Sequence, residues 1–342
     1  MAQLVYGPWA DAAGRRTPLF AGLALFILGS VACAFAPSDG WLIAARALQG
    51  LGGAAVMVIP RAIIRDMHTG TEATRLMAMV MLVISVSPML APLAGSGIIA
   101  FGSWRLIFGV LCLAALVSVL LTAFVLPETL PAARRMPVAP RALLKGARRL
   151  LTDPVFMGLT FVGGFGFASF MAFIASAAFV YTDAFGLSPT GFSVAFAVNA
   201  IGFFAASQLA ASLGERFGMR RMVFAALGGF AATTLSLLVL ALLGAASLPV
   251  VVAFLFCGNA FLGLVLPTVM VLALDEHGDI AGLSSSLGGS LQMFAGGVVI
   301  AIAGPFFDGT VLPMVVAIAA CAVVALGLAR LTLRPASAAP AA

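Results

Sequence analysis

Ten stretches of this chain are long and apolar enough, and nearly free enough of charge, to cross a bilayer as helices. They are residues 18–36, 41–64, 76–101, 106–126, 154–181, 192–213, 222–243, 249–274, 283–305 and 311–328. Hydrocarbon offers the backbone no hydrogen-bonding partner, so a spanning segment must satisfy its own amides, as a helix does over about 20 residues. A transmembrane barrel would instead show short segments of alternating polarity. The expectation is an all-α polytopic membrane protein with ten complete spans. Ahead of them, residues 1–10 are apolar but reach only about 15 Å at about 1.5 Å per residue. They read as the end of a partial helix.

Composition excludes the other classes. Of 342 residues, 63% are hydrophobic and 9% charged, against about 25% charged in a soluble domain. A soluble enzyme, a nucleic-acid binder and a disordered chain are all ruled out. Cys33, Cys112, Cys257 and Cys321 lie far apart in apolar runs, and His68 and His277 sit in separate loops. No metal-ligand spacing arises, so neither metal nor cofactor is expected. The N-terminus lacks a basic region followed by an apolar run, so no signal peptide is expected.

Charge orients the spans. If the spans alternate, fifteen of the eighteen cations fall on one side: Arg15, Arg16, Arg65, Arg75, Arg134, Arg135, Arg141, Lys145, Arg148, Arg149, Arg216, Arg220, Arg221, Arg330 and Arg334. Only Arg105 falls on the other side, with Asp39, Asp183 and Asp308. The positive-inside rule makes the first side cytoplasmic, together with the C-terminus. The expected domains are an incomplete N-terminal half bundle (1–126), a basic cytoplasmic linker (127–153), a C-terminal half bundle (154–331) and a disordered cytoplasmic tail (332–342). Shifting the first half by 204 residues brings Asp11 onto Glu215, Gly14 onto Gly218 and Arg16 onto Arg220, as parallel repeats would.

Three segments carry polar chemistry in this apolar background. In 7–16, Gly7 permits close helix approach, Gly14 a tight turn, and Asp11 a pairing with an arginine. Asp11, Arg15 and Arg16 form either a breakable cytoplasmic latch or simply an orientation signal. In 46–55, Arg46 lies within a span, where a cation costs at least about 2.5–3.5 kcal/mol. Gln49 and Gly50 share its helical face. Arg46 either belongs to a translocation path or snorkels to the interface from five residues past Trp41. In 87–96, Pro88 and Pro92 kink a span, and small neighbours such as Gly95 allow tight contact. The glycines of 50–53 imitate a dinucleotide fingerprint, but no strand precedes them. In the second half, Phe165, Phe170 and Phe173 with Asn199, Asn259 and Gln292 combine aromatic surface and a few polar groups. That set suits an amphipathic ligand, or equally interhelical hydrogen bonding.

Together these segments resemble the major facilitator superfamily, and more narrowly its bicyclomycin/chloramphenicol-resistance (Bcr/CflA) multidrug efflux subfamily. Residues 7–16 resemble motif A, 46–52 motif B and 87–96 the antiporter motif C. Leu187-Ser-Pro189, Asn199-Ala-Ile-Gly202, Pro267-Thr268 and the Gly- and Ser-rich run 281–288 with Gln292 resemble the same subfamily. The resemblance covers residues 6–331. It implies two six-helix halves, alternating access, and export of small hydrophobic drugs or toxic compounds driven by proton antiport in the bacterial inner membrane, by a monomer. It also implies a cytoplasmic gate of Gly7, Asp11, Gly14, Arg15 and Arg16, coupling through Arg46, and an antiporter helix shaped by Pro88, Pro92 and Gly95. The sequence departs from it at Trp9 and Ala12 in motif A and at Ser87 and Ala91 in motif C. The family's first helix and half of its second have no counterpart here. Two alternatives keep the fold: a metabolite exporter, and a truncated membrane remnant that does not transport. No nucleophile elbow, paired carboxylates or metal-binding helix supports an enzyme.

Overall fold

A computed structural model of the protein describes residues 2–68, 70–135, 140–275, 277 and 280–333. The last nine residues of the expected tail lie outside that set. Twelve helices follow one another among the described residues. They are α1 (Gln3–Ala13), α2 (Arg16–Ala34), α3 (Asp39–Met67), α4 (Gly70–Ala100), α5 (Arg105–Phe124), α6 (Pro140–Thr152), α7 (Pro154–Phe179), α8 (Pro189–Phe217), α9 (Met219–Leu242), α10 (Leu248–Asp275), α11 (Ala281–Ala303) and α12 (Val311–Thr332). Nine helices among the described residues are long and apolar enough to span a membrane. The tenth expected run, 76–101, lies on α4, where the described apolar stretch is Leu90–Ala100.

The chain divides into two compact units: residues 1–87 with 93–141, and 88–92 with 142–342. In the first, α2 packs against α3 and α5, and α1 lies against α2 and α3. Lipid and side chains are equally apolar, so helix association here relies on van der Waals fit and close backbone approach. Gly22 and Gly52 provide that approach. A Cβ on Gly22 would overlap Ala55, and one on Gly52 would strike Gly22 and Phe26. Tyr6, Leu19, Leu23, Ala55, Ile59 and Ile63 form the core around this contact.

In the second unit, α7 packs against α10, α11 and α12, and α10 packs against α8 and α9. Asp153 starts α7: its carboxylate accepts from the amides of Val155 (2.8 Å) and Phe156 (3.3 Å), with Pro154 in the first turn. The other Asp153 oxygen lies 3.0 Å from Nε2 of the buried His277, which ties the α10–α11 connection to the start of α7. A five-residue π-helical turn, Val180–Ala184, closes α7. The segment expected as a linker is partly helical, since α6 lies within it. Leu150 on α6 is fully buried, and a side chain at Gly146 would strike Leu283 of α11.

The connections gather at two ends of each unit. In the first, the turns at 14–15 and 128–130 meet Asp66 at one end, while Arg105 donates to the carbonyl of Ala36 (3.0 Å) at the other. In the second, a Cβ on Gly309 would touch Asp183, which brings the α7–α8 and α11–α12 connections together. This is the up-and-down course that alternating spans require.

Candidate functional site

The first polar cluster is built on a two-residue turn. α1 ends at Ala13, and Gly14 takes φ +90°, a conformation that side chains rarely adopt. A Cβ there would also lie 2.7 Å from Glu128 Oε2 and 3.0 Å from Arg135 Nη2. The turn delivers Arg15 into a nest of acids, where the residue is only 7% exposed. Its Nη1 donates to Asp11 Oδ1 at 2.5 Å, and its Nε and Nη2 donate to Asp66 at 2.7 and 3.2 Å. Thr129 donates to the same Asp66 carboxylate at 3.2 Å. Glu128 accepts from the backbone amides of Arg15 (2.8 Å), Arg16 (3.2 Å) and Leu130 (3.1 Å). The Arg16 guanidinium donates to the Ala123 carbonyl (3.0 Å) and lies over the Phe20 ring.

The electrostatics follow from this geometry. Burial opposes the charge on Arg15, but its hydrogen bonds to Asp66 and Asp11 outweigh that and push its pKa up. For Glu128, burial opposes ionisation. The three backbone amides and the nearby Arg135 prevail and hold its carboxyl below the ordinary glutamate range. The cluster ties two connections of one unit to the last turn of α3. Asp11, Gly14, Arg15 and Arg16 all belong to it. Gly7 does not, since a Cβ there would meet nothing within 4 Å.

The second polar cluster lies within the spans. Arg46 donates to Gln49 Oε1 at 2.5 Å, one helical turn away. Gln49, 2% exposed, passes the chain on through Nε2 to Ser30 Oγ of α2 (2.7 Å), and Ser30 donates to the Phe26 carbonyl (2.7 Å). The guanidinium sits 5.8 Å from the Phe108 ring centre. Gly29 lets Gln49 come this close: a Cβ there would lie 2.5 Å from the Gln49 amide nitrogen. Gly50 shares the Arg46 face but has open space around it, so the close helix approach falls to Gly52.

The third group is dispersed. Pro92 and Gly95 lie on α4, and a Cβ on Gly95 would meet nothing within 4 Å. The Pro88 side chain is outside those described. In the second unit, Phe170 stacks on Phe203 and Phe173 on Phe196, each at 5.4 Å between ring centres. Asn199 is fully buried and donates to Tyr181 Oη (3.2 Å) and the Ala195 carbonyl (2.9 Å), while its Oδ1 has no partner among the described residues. Phe173 and Asn259 line one void with Ser169 and Thr234, of about 10 Å³, about one water's worth of space. Gln292 of α11 faces Gly163 of α7, where a Cβ would lie 2.5 Å from its Nε2. Phe165 is half-buried on α7.

Reading the sequence alone missed the partners: Asp66 and Glu128 for the arginine turn, Ser30 for Gln49, and the Asp153–His277 pair. The usable signal was sidedness. Asp66 and Glu128 lie in connections assigned to the same face as Arg15.

Apolar spans in two units, an acid-bound arginine turn at the end of one unit and an arginine within a span mark a multi-pass membrane protein. The model of the Major Facilitator Superfamily matches residues 1–301, and the chain belongs to that superfamily. It is a transporter and not an enzyme. It is 34% identical to the uncharacterized MFS-type transporter YdgK of Bacillus subtilis, covering 92% of this chain and 78% of that one. It is 27% identical to the bicyclomycin resistance protein homolog of Haemophilus influenzae, covering 94% and 81%. It is 25% identical to the multidrug resistance protein MdtM of Salmonella typhimurium, over 56% of this chain and 46% of that one. Among solved structures, the human organic anion transporter MFSD10 (TETRAN) matches with a TM-score of 0.62 at 19% identity, covering 96% of this chain and 80% of that one. That likeness concerns the fold.

Proposed function

We infer that this transporter exports small hydrophobic or amphipathic compounds, drugs or toxic compounds among them, by proton antiport with alternating access. The observation that carries this reading is the Arg46–Gln49–Ser30 chain. A guanidinium inside a span is costly, and here it is joined by short hydrogen bonds to a buried polar relay between two helices. Such a relay suits a charge whose partner changes as a proton binds and leaves. The turn of Asp11, Gly14, Arg15 and Arg16 supplies the cytoplasmic gate in this account, and Gly7 lies outside it. Its ion pairs are strong enough to hold one state and can be exchanged in another. Pro88, Pro92 and Gly95 shape the antiporter helix. Phe165, Phe170, Phe173, Asn199, Asn259 and Gln292 offer aromatic and amide contacts to the cargo. The bicyclomycin and multidrug resistance relatives support both the cargo class and the narrower Bcr/CflA placement. The protein works as a monomer in the bacterial inner membrane, with its C-terminus in the cytoplasm.

The test is accumulation of hydrophobic dyes and drugs in bacteria stripped of their major exporters. Cells making the protein should accumulate less, and an uncoupler should abolish the difference. Accumulation identical to that of empty cells across a broad panel would overturn the proposal. Rescue of growth by a single metabolite, without any drug phenotype, would move the cargo to a metabolite while keeping the mechanism.

A further inference from the structure

The second unit carries a groove that the transport account does not use. α8, α9 and α10 bound an open cleft of about 500 Å³. Arg216 and Arg221 stand at one end of it, and Phe217, Ala225, Phe261 and Leu264 line its walls and floor. Among the described residues no carboxylate lines it and neither arginine is in an ion pair. Arg216 instead lies over the Phe217 ring at 5.2 Å.

Its position is set by the helices. Arg216 is in the last turn of α8 and Arg221 in the first turn of α9, both membrane-spanning segments. The charged end is therefore at a membrane–water boundary, and the rest runs toward hydrocarbon. The Phe261 ring lies against α9 at Gly229, where a Cβ would sit 2.5 Å from it. Gly229 is eight residues beyond Arg221, so the apolar floor reaches about 12 Å below the cations at about 1.5 Å per residue.

The repeated turn sharpens the contrast. Gly218 (φ +85°) and Gly14 (φ +90°) each open a short break between consecutive helices. After Gly14, the chain's own acids occupy the arginine. Around Gly218, the two guanidiniums face a cleft with an apolar tail. The matching ligand has one anionic head, an apolar chain and access from within the bilayer.

We propose that this groove is a binding site for an anionic phospholipid, with Arg216 and Arg221 on the phosphate and an acyl chain over Phe261 and Leu264. Basic pockets between spanning helices bind such headgroups, and each cation near the surface contributes about a fivefold gain. The test uses the purified full chain in mild detergent, titrated with phosphatidylglycerol or phosphatidylethanolamine and read by native mass spectrometry. Phosphatidylglycerol should be retained preferentially. Arg216→Gln with Arg221→Gln should weaken it about 25-fold and erase the preference. Ala225→Trp, which fills the cleft and keeps both charges, should also weaken it, and it serves if the double variant fails to fold. Millimolar inorganic phosphate should not displace the lipid. Equal retention of the two lipids, an unchanged preference in the variants, or displacement by phosphate would overturn the proposal.

Discussion

Gly14 and Gly7 sit seven residues apart in one motif, yet the structure demands glycine only at the first. Gly14 combines a positive φ with a steric limit set by Glu128. Gly14→Ala should lower stability by about 1–3 kcal/mol, read as a drop in the thermal unfolding midpoint in detergent. Gly7→Ala should leave that midpoint nearly unchanged, because its surroundings are open. Glu128 adds a pH dependence. Its carboxyl is held below its ordinary value, so the stability it contributes is fully present above about pH 4.3. That contribution is lost as pH falls through the lowered folded value. Hydrogen-exchange protection of the Arg15, Arg16 and Leu130 amides, corrected for intrinsic rates, should fall across that window. Glu128→Gln should remove the transition. Arg46 separates the two readings of its own position: Arg46→Ala should abolish efflux while leaving membrane insertion intact, whereas near-normal efflux would mark it as a snorkelling residue.

At the scale of elements, the spans were the legible part, because a helix in lipid needs length and apolarity, and both are local properties. The sites were legible only in part. Arg15, Asp11 and Gly14 stand out within ten residues, but Asp66 and Glu128 approach them from 51 and 113 residues away. No spacing rule links such distances; only sidedness does. The glycine-rich run 50–53 shows the same division. Its composition predicts close contact but not which glycine makes it, since that depends on the rotation of α3 against α2. The geometry assigns the contact to Gly52, with Gly50 in open space. Gly52→Val should therefore wedge the helices apart and cost about 1–3 kcal/mol, seen as lost monodisperse protein or a lower unfolding midpoint. Gly50→Val should be tolerated far better. Leu150 shows that the connection between the units holds more than a tether. Its burial on α6 predicts that Leu150→Asp loosens the second unit and raises protease sensitivity near residue 140.

For the whole molecule, the account joins two compact units of spanning helices to a cycle in which polar contacts exchange while apolar surfaces stay in lipid. Membership in the superfamily establishes transport; the direction and the driving ion rest on the arginine relay and the arginine turn. The most direct measurement places the purified protein in liposomes with an imposed proton gradient and an internal pH dye, then adds a hydrophobic cargo compound. The account predicts cargo-dependent proton movement opposite in direction to the cargo, abolished by Arg46→Ala and unaffected by a sodium gradient. Cargo flux that proceeds at the same rate with and without a proton gradient, and moves no protons, would contradict it.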